Sequence, residues 1–430
     1  ISFNTAVGGG ALSANTTGSA NNAVGTSALA ANTTGSNNVA VGNAALEANT
    51  TASGNVAIGD QALNDNTTGQ SNTAVGYRAL DASTTAGDNT AIGTGAMGAT
   101  TTGEANTAVG SAVLDANTTG TGNSALGVSA LGANTTGAQN VAMGQNALGA
   151  NTTADNNTAV GWQAVDANTT GSENTAVGMN ALGANTTGSS NTVMGVNALV
   201  NNTTASNNTS IGRSSLSQNT TGHSHTAVGY AALESNTTGN ENSAFGFQAL
   251  NGNTTGEGNT GLGRKSLFTN STGGQNVAVG QGALLANTTA SENTSVGYDS
   301  LANNTTGANN VAVGYHALND LTTVSAMTAV GYEASSRNTT GDANTSVGYR
   351  AFKFSTTGTN NTAIGKSALE QNESGSNNTA VGTIALDALT TTSNNTAVGS
   401  HAGTSLTGGD GLTAVGNSAG ESLSTGDANT

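Results

Sequence analysis

One glycine recurs every 17 residues along the whole chain. It occupies Gly8, Gly25, Gly42 and every seventeenth position after them through Gly416, without insertion or deletion. This register gives 25 copies of a unit with the consensus N-T-A-V-G-x-x-A-L-x-A-N-T-T-G-x-x, in which the recurring glycine is position 5. Copies of one short unit stack on each other, and each buries its apolar residues against its neighbours. The chain is therefore expected to form a solenoid and not a set of globular domains.

The residue types of the unit favour β-structure over helix. Every repeat carries glycine and most carry asparagine and a Thr-Thr pair, all of which are unfavourable in helix interiors. Two short β-segments, near positions 1–4 and 8–14, fit the pattern better. The unit is too short for helical, leucine-rich or propeller repeats and lacks the collagen period. The sequence predicts an all-β fold, a parallel β-solenoid or β-roll of 25 coils.

Two apolar positions recur in the unit. Position 4 is Val, Ile, Leu, Met or Phe in every repeat, as in Val7, Ile58 and Phe245. Position 9 is Leu in most repeats, as in Leu12 and Leu29, whereas positions 3 and 8 are nearly always Ala, Ser or Gly. We expect positions 4 and 9 to point inward as two apolar columns, with the small residues allowing one wall to pack closely on another. Positions 6, 7, 10, 16 and 17 vary and carry nearly all the charges, so they are expected to face solvent.

Asparagine is the second constant feature of the unit. Position 1 is Asn in 22 of the 25 repeats and position 12 is Asn in 18. Stacked asparagines can hydrogen bond along a column of identical rungs, and Asn also tolerates the left-handed backbone of coil corners. We therefore predict two structural ladders, whose first members are Asn4, Asn21, Asn38 and Asn55 at position 1 and Asn15, Asn32, Asn49 and Asn66 at position 12.

The predicted core is thin, and this bears on assembly. Two large apolar side chains per rung contribute about 3 to 6 kcal/mol, whereas ordering the backbone of a rung costs several times more. Hydrogen bonds between rungs offset part of this entropic cost, but the net stability expected for a single chain remains small. We therefore expect several chains, three being the favoured number, to pack side by side with an alanine-rich wall at the interface.

The segment around the glycine resembles the head repeats of trimeric autotransporter adhesins, which read roughly S-V-A-I-G. Asn55-Val56-Ala57-Ile58-Gly59 and Asn38-Val39-Ala40-Val41-Gly42 are close matches, and similar segments recur in essentially every repeat. The resemblance implies a left-handed parallel β-roll, three chains to a head, and binding to host matrix or cells. The 17-residue unit is longer than the typical head repeat. Similar arrays also occur in bacteriophage tail-fibre shafts and other bacterial surface proteins.

The large aromatic side chains gather at position 6. The predicted binding ridge consists of Tyr298, Tyr315, Tyr332 and Tyr349, with Trp162, Tyr230, Phe247 and Tyr77 at the same position of other repeats. A solenoid would stack the first four on successive rungs, where they would bind glycan rings or an apolar partner surface. The alternative is that position 6 is a roomy corner or a groove between chains, since Arg213, Arg264 and Lys366 also occupy it.

Residues with catalytic or metal-binding chemistry are sparse. The chain has 24 Asp and Glu, 8 Lys and Arg, 4 His and no Cys, and its net charge is −16. The carboxylates are isolated corner residues and form no calcium-binding repeat, and the histidines are scattered. We predict no catalytic residue, no metal and no cofactor. The dispersed cations argue against nucleic-acid binding, and no apolar segment is long enough to insert in a membrane.

The two last repeats depart from the pattern. Leu406 and Leu423 stand at position 12, and Gly403 and Gly420 take the place of leucine at position 9. We predict regular solenoid repeats over residues 1–396 and variant repeats over 397–430 that lead to a flanking module. The expected function is a non-enzymatic structural or adhesive fibre, extracellular or on the cell surface, which binds a receptor that the sequence does not identify. The alternatives are a bacteriophage tail-fibre shaft in the virion and a self-assembling extracellular filament.

Overall fold

The computed structural model describes residues 3–425 and residue 427. The chain divides into two compact units, one ending at Arg213 and the other beginning at Ser214. Each unit is a parallel β-solenoid with one three-residue strand per repeat, so the predicted all-β fold with a 17-residue repeat is confirmed. The predicted boundary at residue 396 stays a prediction, and residues 1, 2, 426 and 428–430 of the predicted ranges lie outside the described residues.

The strands of both units occupy positions 2 to 4 of the repeat. The first unit contains β1 Thr5–Val7, β2 Asn22–Val24, β3 Val39–Val41, β4 Val56–Ile58, β5 Thr73–Val75, β6 Thr90–Ile92, β7 Thr107–Val109, β8 Ser124–Leu126, β9 Val141–Met143, β10 Thr158–Val160, β11 Thr175–Val177, β12 Thr192–Met194 and β13 Thr209–Ile211. The second contains β14 Thr226–Val228, β15 Ser243–Phe245, β16 Thr260–Leu262, β17 Val277–Val279, β18 Thr294–Val296, β19 Val311–Val313, β20 Thr328–Val330, β21 Thr345–Val347, β22 Thr362–Ile364, β23 Thr379–Val381, β24 Thr396–Val398 and β25 Thr413–Val415.

Within each unit, a strand pairs with the equivalent strand of the next repeat. Ala40 lies beside Ala57 and Val41 beside Ile58, a shift of one 17-residue unit. The same register holds in the second unit, where Val313 pairs with Val330. Because equivalent residues stack, every position of the repeat becomes a column of like side chains.

The prediction that position 4 points inward is wrong. Ala40 and Ala57 at position 3 are buried, whereas Val41 and Ile58 are 38% and 40% exposed. Successive residues of a strand face opposite sides, so an inward position 3 forces positions 2 and 4 outward. The interior opposite position 3 is too narrow for a large side chain. At Gly261 an added Cβ would lie 2.9 Å from the Ser266 Oγ and 3.3 Å from the Leu250 Cγ.

The predicted second β-segment near positions 8–14 is also wrong, since turns occupy that part of the repeat. The predicted inward leucine of position 9 is nevertheless found there, and Leu46 is fully buried. Its φ of 52° is left-handed, as is the φ of 54° at Ala44 in position 7. A strand cannot pass through such residues. The Leu46 carbonyl instead accepts a hydrogen bond from the Asn49 N–H at 3.2 Å, which closes a turn.

The core is repacked near the C-terminal end of the second unit. Leu406 at position 12 is buried, and Leu389, Leu412 and Ala414 belong to the same apolar cluster. A Cβ on Gly403 would lie 2.9 Å from the Leu386 Cδ2 and 3.1 Å from the Leu412 Cδ2. Leucines from positions 1 and 12 therefore fill the space that the position 9 leucine occupies in regular repeats.

Candidate binding surfaces

The asparagines of position 12 hydrogen bond to one another through their side chains. The Asn32 Nδ2 donates to the Asn15 Oδ1 at 2.9 Å, the Asn49 Nδ2 to the Asn32 Oδ1 at 2.8 Å, and the Asn66 Nδ2 to the Asn49 Oδ1 at 3.1 Å. Asn32, Asn49 and Asn66 are fully buried. The chain of hydrogen bonds is interrupted at Ser83, where the Asn66 Oδ1 and the Ser83 Oγ lie without a partner among the described residues.

The asparagines of position 1 bond mainly to backbone. The Asn21 N–H donates to the Asn4 Oδ1 at 2.9 Å, and the Asn38 N–H to the Asn21 Oδ1 at 3.0 Å. The next link runs from the Asn55 N–H to the Asn38 Oδ1 at 3.0 Å. Buried backbone donors need such partners, so this column satisfies an N–H in each rung. None of these asparagines has a left-handed backbone.

Both columns meet at one carbonyl in repeats that carry asparagine at positions 1 and 12. The Gly35 oxygen accepts hydrogen bonds from the Asn21 Nδ2 at 2.8 Å and from the Asn32 Nδ2 at 3.0 Å. The Ala52 oxygen accepts from Asn38 and Asn49 in the same way, at 2.9 and 3.1 Å. The buried amides thus join the two ends of a coil, and their role in this geometry is structural.

We expect Asn49→Ala to lower the free energy of unfolding by about 2 kcal/mol, because it leaves the buried Asn32 Oδ1 without its donor. The Ala52 carbonyl keeps Asn38, and the Asn66 Nδ2 keeps Gly69. Urea denaturation followed by circular dichroism measures the change. Ser83→Ala is the matched control, since the hydrogen-bond chain is already interrupted there. Equal losses for the two variants would contradict a role for the chain of amides.

The outward residues of position 4 form an apolar column in each unit, here called the aliphatic stripe. It runs from Val7 to Ile211 in the first unit and from Val228 to Val415 in the second. Leu126 and Met194 are 50% and 52% exposed. Position 2 of the same outer face is mostly threonine, with valine in several repeats. Apart from Asn22 and Phe245, each unit therefore presents one sheet face whose side chains are aliphatic or bear a single hydroxyl.

Four tyrosines of the predicted binding ridge lie on successive rungs of the second unit. We call Tyr298, Tyr315, Tyr332 and Tyr349 the tyrosine ridge. Neighbouring ring centroids are 5.5, 5.1 and 5.3 Å apart, with interplanar angles of 8° to 11°. The side chains are 41% to 44% exposed. The ridge is thus a stacked array on the surface, next to the aliphatic stripe and separated from it only by the glycine of position 5.

Other side chains extend the tyrosine ridge at its edges. The His316 ring stacks on Tyr315 with a centroid distance of 4.0 Å, and the Arg350 guanidinium lies 5.1 Å from the Tyr349 centroid. Arg350 also contacts the Glu333 Oε2 at 3.0 Å, as does the Lys353 Nζ at 2.7 Å. Burial alone would raise the pKa of Glu333, but hydrogen bonds and charge from Lys353 and Arg350 outweigh it and lower that pKa. These residues were not part of the predicted site.

The remaining predicted ridge residues are separate from this array. Tyr230 stacks on Phe247 with centroids 5.3 Å apart, which makes a two-ring patch elsewhere in the second unit. Tyr77 and Trp162 of the first unit are exposed and have no aromatic neighbour among the described residues, although the Arg78 guanidinium lies 5.6 Å from the Tyr77 centroid. Among the described residues, the tyrosine ridge is therefore the only aromatic array longer than two rungs.

His225 occupies position 1 in place of asparagine and is 1% exposed. Its Nδ1 accepts a hydrogen bond from the Asn242 N–H at 3.1 Å, as an asparagine oxygen does in other repeats. This bond requires an unprotonated Nδ1. Burial lowers the pKa of His225 from 6.5 to about 4. The sequence alone, in which the histidines are scattered, gave no indication that His225 is buried.

Some acidic side chains of the described residues are partly buried. Asp115 and Asp166 lie along an open groove of about 510 Å³ in the first unit, which is otherwise lined by glycine, alanine, Ser129 and Asn146. Burial raises the pKa of Asp166, and burial together with Glu370 raises that of Asp387 to about 6. In the part of the chain that the structure describes, no three His, Cys, Asp or Glu side chains are placed to hold a metal ion. The same residues include no helix capable of spanning a membrane.

Neither a scan against protein-family models nor a search of curated proteins finds a match to this chain. The resemblance to adhesin head repeats therefore depends on the repeat motif alone.

Proposed function

We propose that the chain is a non-catalytic fibre module, extracellular or on a cell surface, that associates with further copies of itself and presents a surface for attachment. The observation that carries the proposal is the aliphatic stripe. An outward column of Val, Ile, Leu, Met and Phe faces solvent in both units, although the chain is rich in polar residues that the same column could hold. Side chains of this kind are stabilised when a partner surface covers them.

The size of the stripe fits an interface between chains. Strands lie about 4.8 Å apart and three residues span about 10 Å, so the outer sheet face covers about 600 Å² in each unit. This is at the upper end of the largest apolar patches on monomeric proteins. At about 600 Å², the face of each unit approaches the roughly 800 Å² that each partner contributes to a stable interface. Three chains, the number that the adhesin resemblance implies, would each contribute this face.

The location of this interface differs from the one expected from sequence. The alanines of positions 3 and 8, such as Ala40 and Ala45, are buried within the chain and are unavailable to a partner. An alanine-rich wall at the interface was therefore the wrong surface. The pleat of the strand explains why position 4 and not position 3 is on the surface. An inward alanine at position 3 places the larger aliphatic residue of position 4 outside.

Self-association is tested by sedimentation of the purified chain. We expect the wild type to be oligomeric and Leu126→Asp/Met194→Asp to weaken the association by a factor of at least about 100, because each substitution buries an unpaired charge. Both side chains are half exposed, so the fold of the single chain should survive. Thr121→Asp is the matched control, since it adds a carboxylate at position 16, where Asp155 already occurs. A monomeric wild type, or an unchanged double variant, would refute the proposal.

A further inference from the structure

The ring spacing in the tyrosine ridge determines which part of each ring a ligand can reach. Carbon atoms in van der Waals contact are about 3.5 to 4 Å apart. Centroid distances of 5.1 to 5.5 Å between nearly parallel rings therefore indicate an offset stack. Each ring leaves part of one face uncovered by its neighbour. The ridge thus presents the outer edges of nearly parallel rings, together with the parts of their faces that the neighbouring rings leave uncovered, repeated once per rung.

The polar groups of the ridge are also available. The four tyrosines are exposed, and the phenolic hydroxyl of each is both a donor and an acceptor of hydrogen bonds. In the sequence, the glycine of position 5, such as Gly314 or Gly331, separates each ridge tyrosine from the stripe residue before it, Val313 or Val330. The surface is therefore periodic and amphipathic.

We infer that the tyrosine ridge binds an extended, unbranched β-1,4-linked polysaccharide lying along the stack. Sugar rings of this class carry apolar C–H groups, which pack against the exposed edges and uncovered parts of the aromatic rings, and a rim of hydroxyl groups, which pair with phenols. A fully extended chain of this linkage advances by one sugar ring over nearly the distance that separates neighbouring tyrosines, 5.1 to 5.5 Å. Successive sugars therefore remain in register with successive tyrosines.

The periodic match favours this ligand over other classes. An α-linked polysaccharide coils and loses register after one or two rungs. A nucleic acid has aromatic bases that also stack, but its phosphates would approach a chain of net charge −16. The proposed function includes a surface for attachment, and the inference, which rests on that part of it, names the class of ligand to which this surface attaches. It is independent of whether copies of the chain associate.

Affinity electrophoresis of the native full chain tests the inference. Gels contain hydroxyethyl cellulose, a soluble β-1,4-linked glucan, or dextran, an α-linked glucan. We expect the wild type to be retarded by hydroxyethyl cellulose alone and Tyr315→Thr/Tyr332→Thr to lose at least tenfold in affinity. Threonine already occupies position 6 as Thr26, Thr94 and Thr383, so these substitutions use a residue that the repeat accommodates. Tyr77→Thr, which removes an isolated tyrosine, is the matched control and should be retarded like the wild type.

Three results would overturn the inference: no retardation of the wild type, equal retardation in dextran, or a double variant retarded as strongly as the wild type. Sedimentation of the same samples distinguishes a failure of the polysaccharide site from a failure of self-association. A wild type that self-associates without retardation overturns the polysaccharide site and leaves the interface in place. A double variant that loses self-association and retardation together would show that the ridge is a contact between chains, which also overturns the inference.

Discussion

Gly42→Ala is expected to lower the free energy of unfolding by about 4 kcal/mol. Gly42 has a φ of +141°, and a Cβ built there would lie 2.6 Å from the carbonyl carbon of Gly59 in the next rung and closer still to its oxygen. The substitution combines strain at a backbone conformation reserved for glycine with overpacking against rigid backbone. Neither atom can move away without opening the hydrogen bond from the Gly59 N–H to the Val41 carbonyl, 2.8 Å long. Urea denaturation followed by circular dichroism measures the loss.

Gly54→Ala is the control that separates these two causes. Gly54 also has a positive φ, +74°, but the nearest atoms to an added Cβ belong to Ser71 and are 3.9 Å away. Alanine stands at the same position of other repeats as Ala20 and Ala105, with φ of 57° and 56°. We expect this variant to remain within about 1 kcal/mol of the wild type. If both variants unfold at the same urea concentration, the close approach of neighbouring rungs at position 5 is not the cause.

Lowering the pH from 7 to 4 is expected to cost the second unit about 3 kcal/mol through His225 alone. Above pH 6.5 the imidazole is neutral in both the folded and the unfolded chain, and stability is highest. As the pH falls below 6.5, the unfolded chain takes up a proton while the folded chain does not, because burial holds the folded pKa at about 4. Stability therefore decreases between pH 6.5 and 4 and changes little from this group below pH 4.

His225→Asn isolates this contribution, since asparagine is the usual residue of position 1. Its side-chain oxygen can accept the bond from the Asn242 N–H without a titratable group. Asp387, whose pKa is raised to about 6, acts in the opposite direction but is present in both proteins, so it cancels from the difference. We expect the variant to lose about 3 kcal/mol less than the wild type between pH 7 and 4 in urea denaturation. Parallel pH profiles would show that His225 is not buried as a neutral ring.

Several features of the fold were predictable from spacing alone. A 17-residue register without insertion allowed only stacked coils, and it correctly placed the leucine of position 9 inside, as Leu46 shows. It also aligned Tyr298, Tyr315, Tyr332 and Tyr349 in one column before any coordinates were considered, because equal spacing in a solenoid means equal position on the rung. The same reasoning supplied no distance between the rings.

The direction of each column was not predictable. Val41 and Leu46 are both large apolar residues at constant positions, yet one is outward and the other inward. The periodicity of hydrophobic residues does not distinguish a column that is buried in the core from one that is exposed on the surface. Nor did the sequence indicate that leucines such as Leu46 adopt a left-handed backbone, because that conformation is rare for bulky residues and is imposed by the coil.

The sequence by itself determined the repeat length, the β-solenoid class and the identity of the residues that share a column, since these follow from register and residue type. The tertiary structure decided which columns face inward, because the pleat sends alternate residues to opposite sides and the narrow interior opposite the leucines is filled mainly by small residues such as alanine and serine. That choice left the aliphatic stripe on the surface, where a strip of apolar side chains is stabilised only when something covers it.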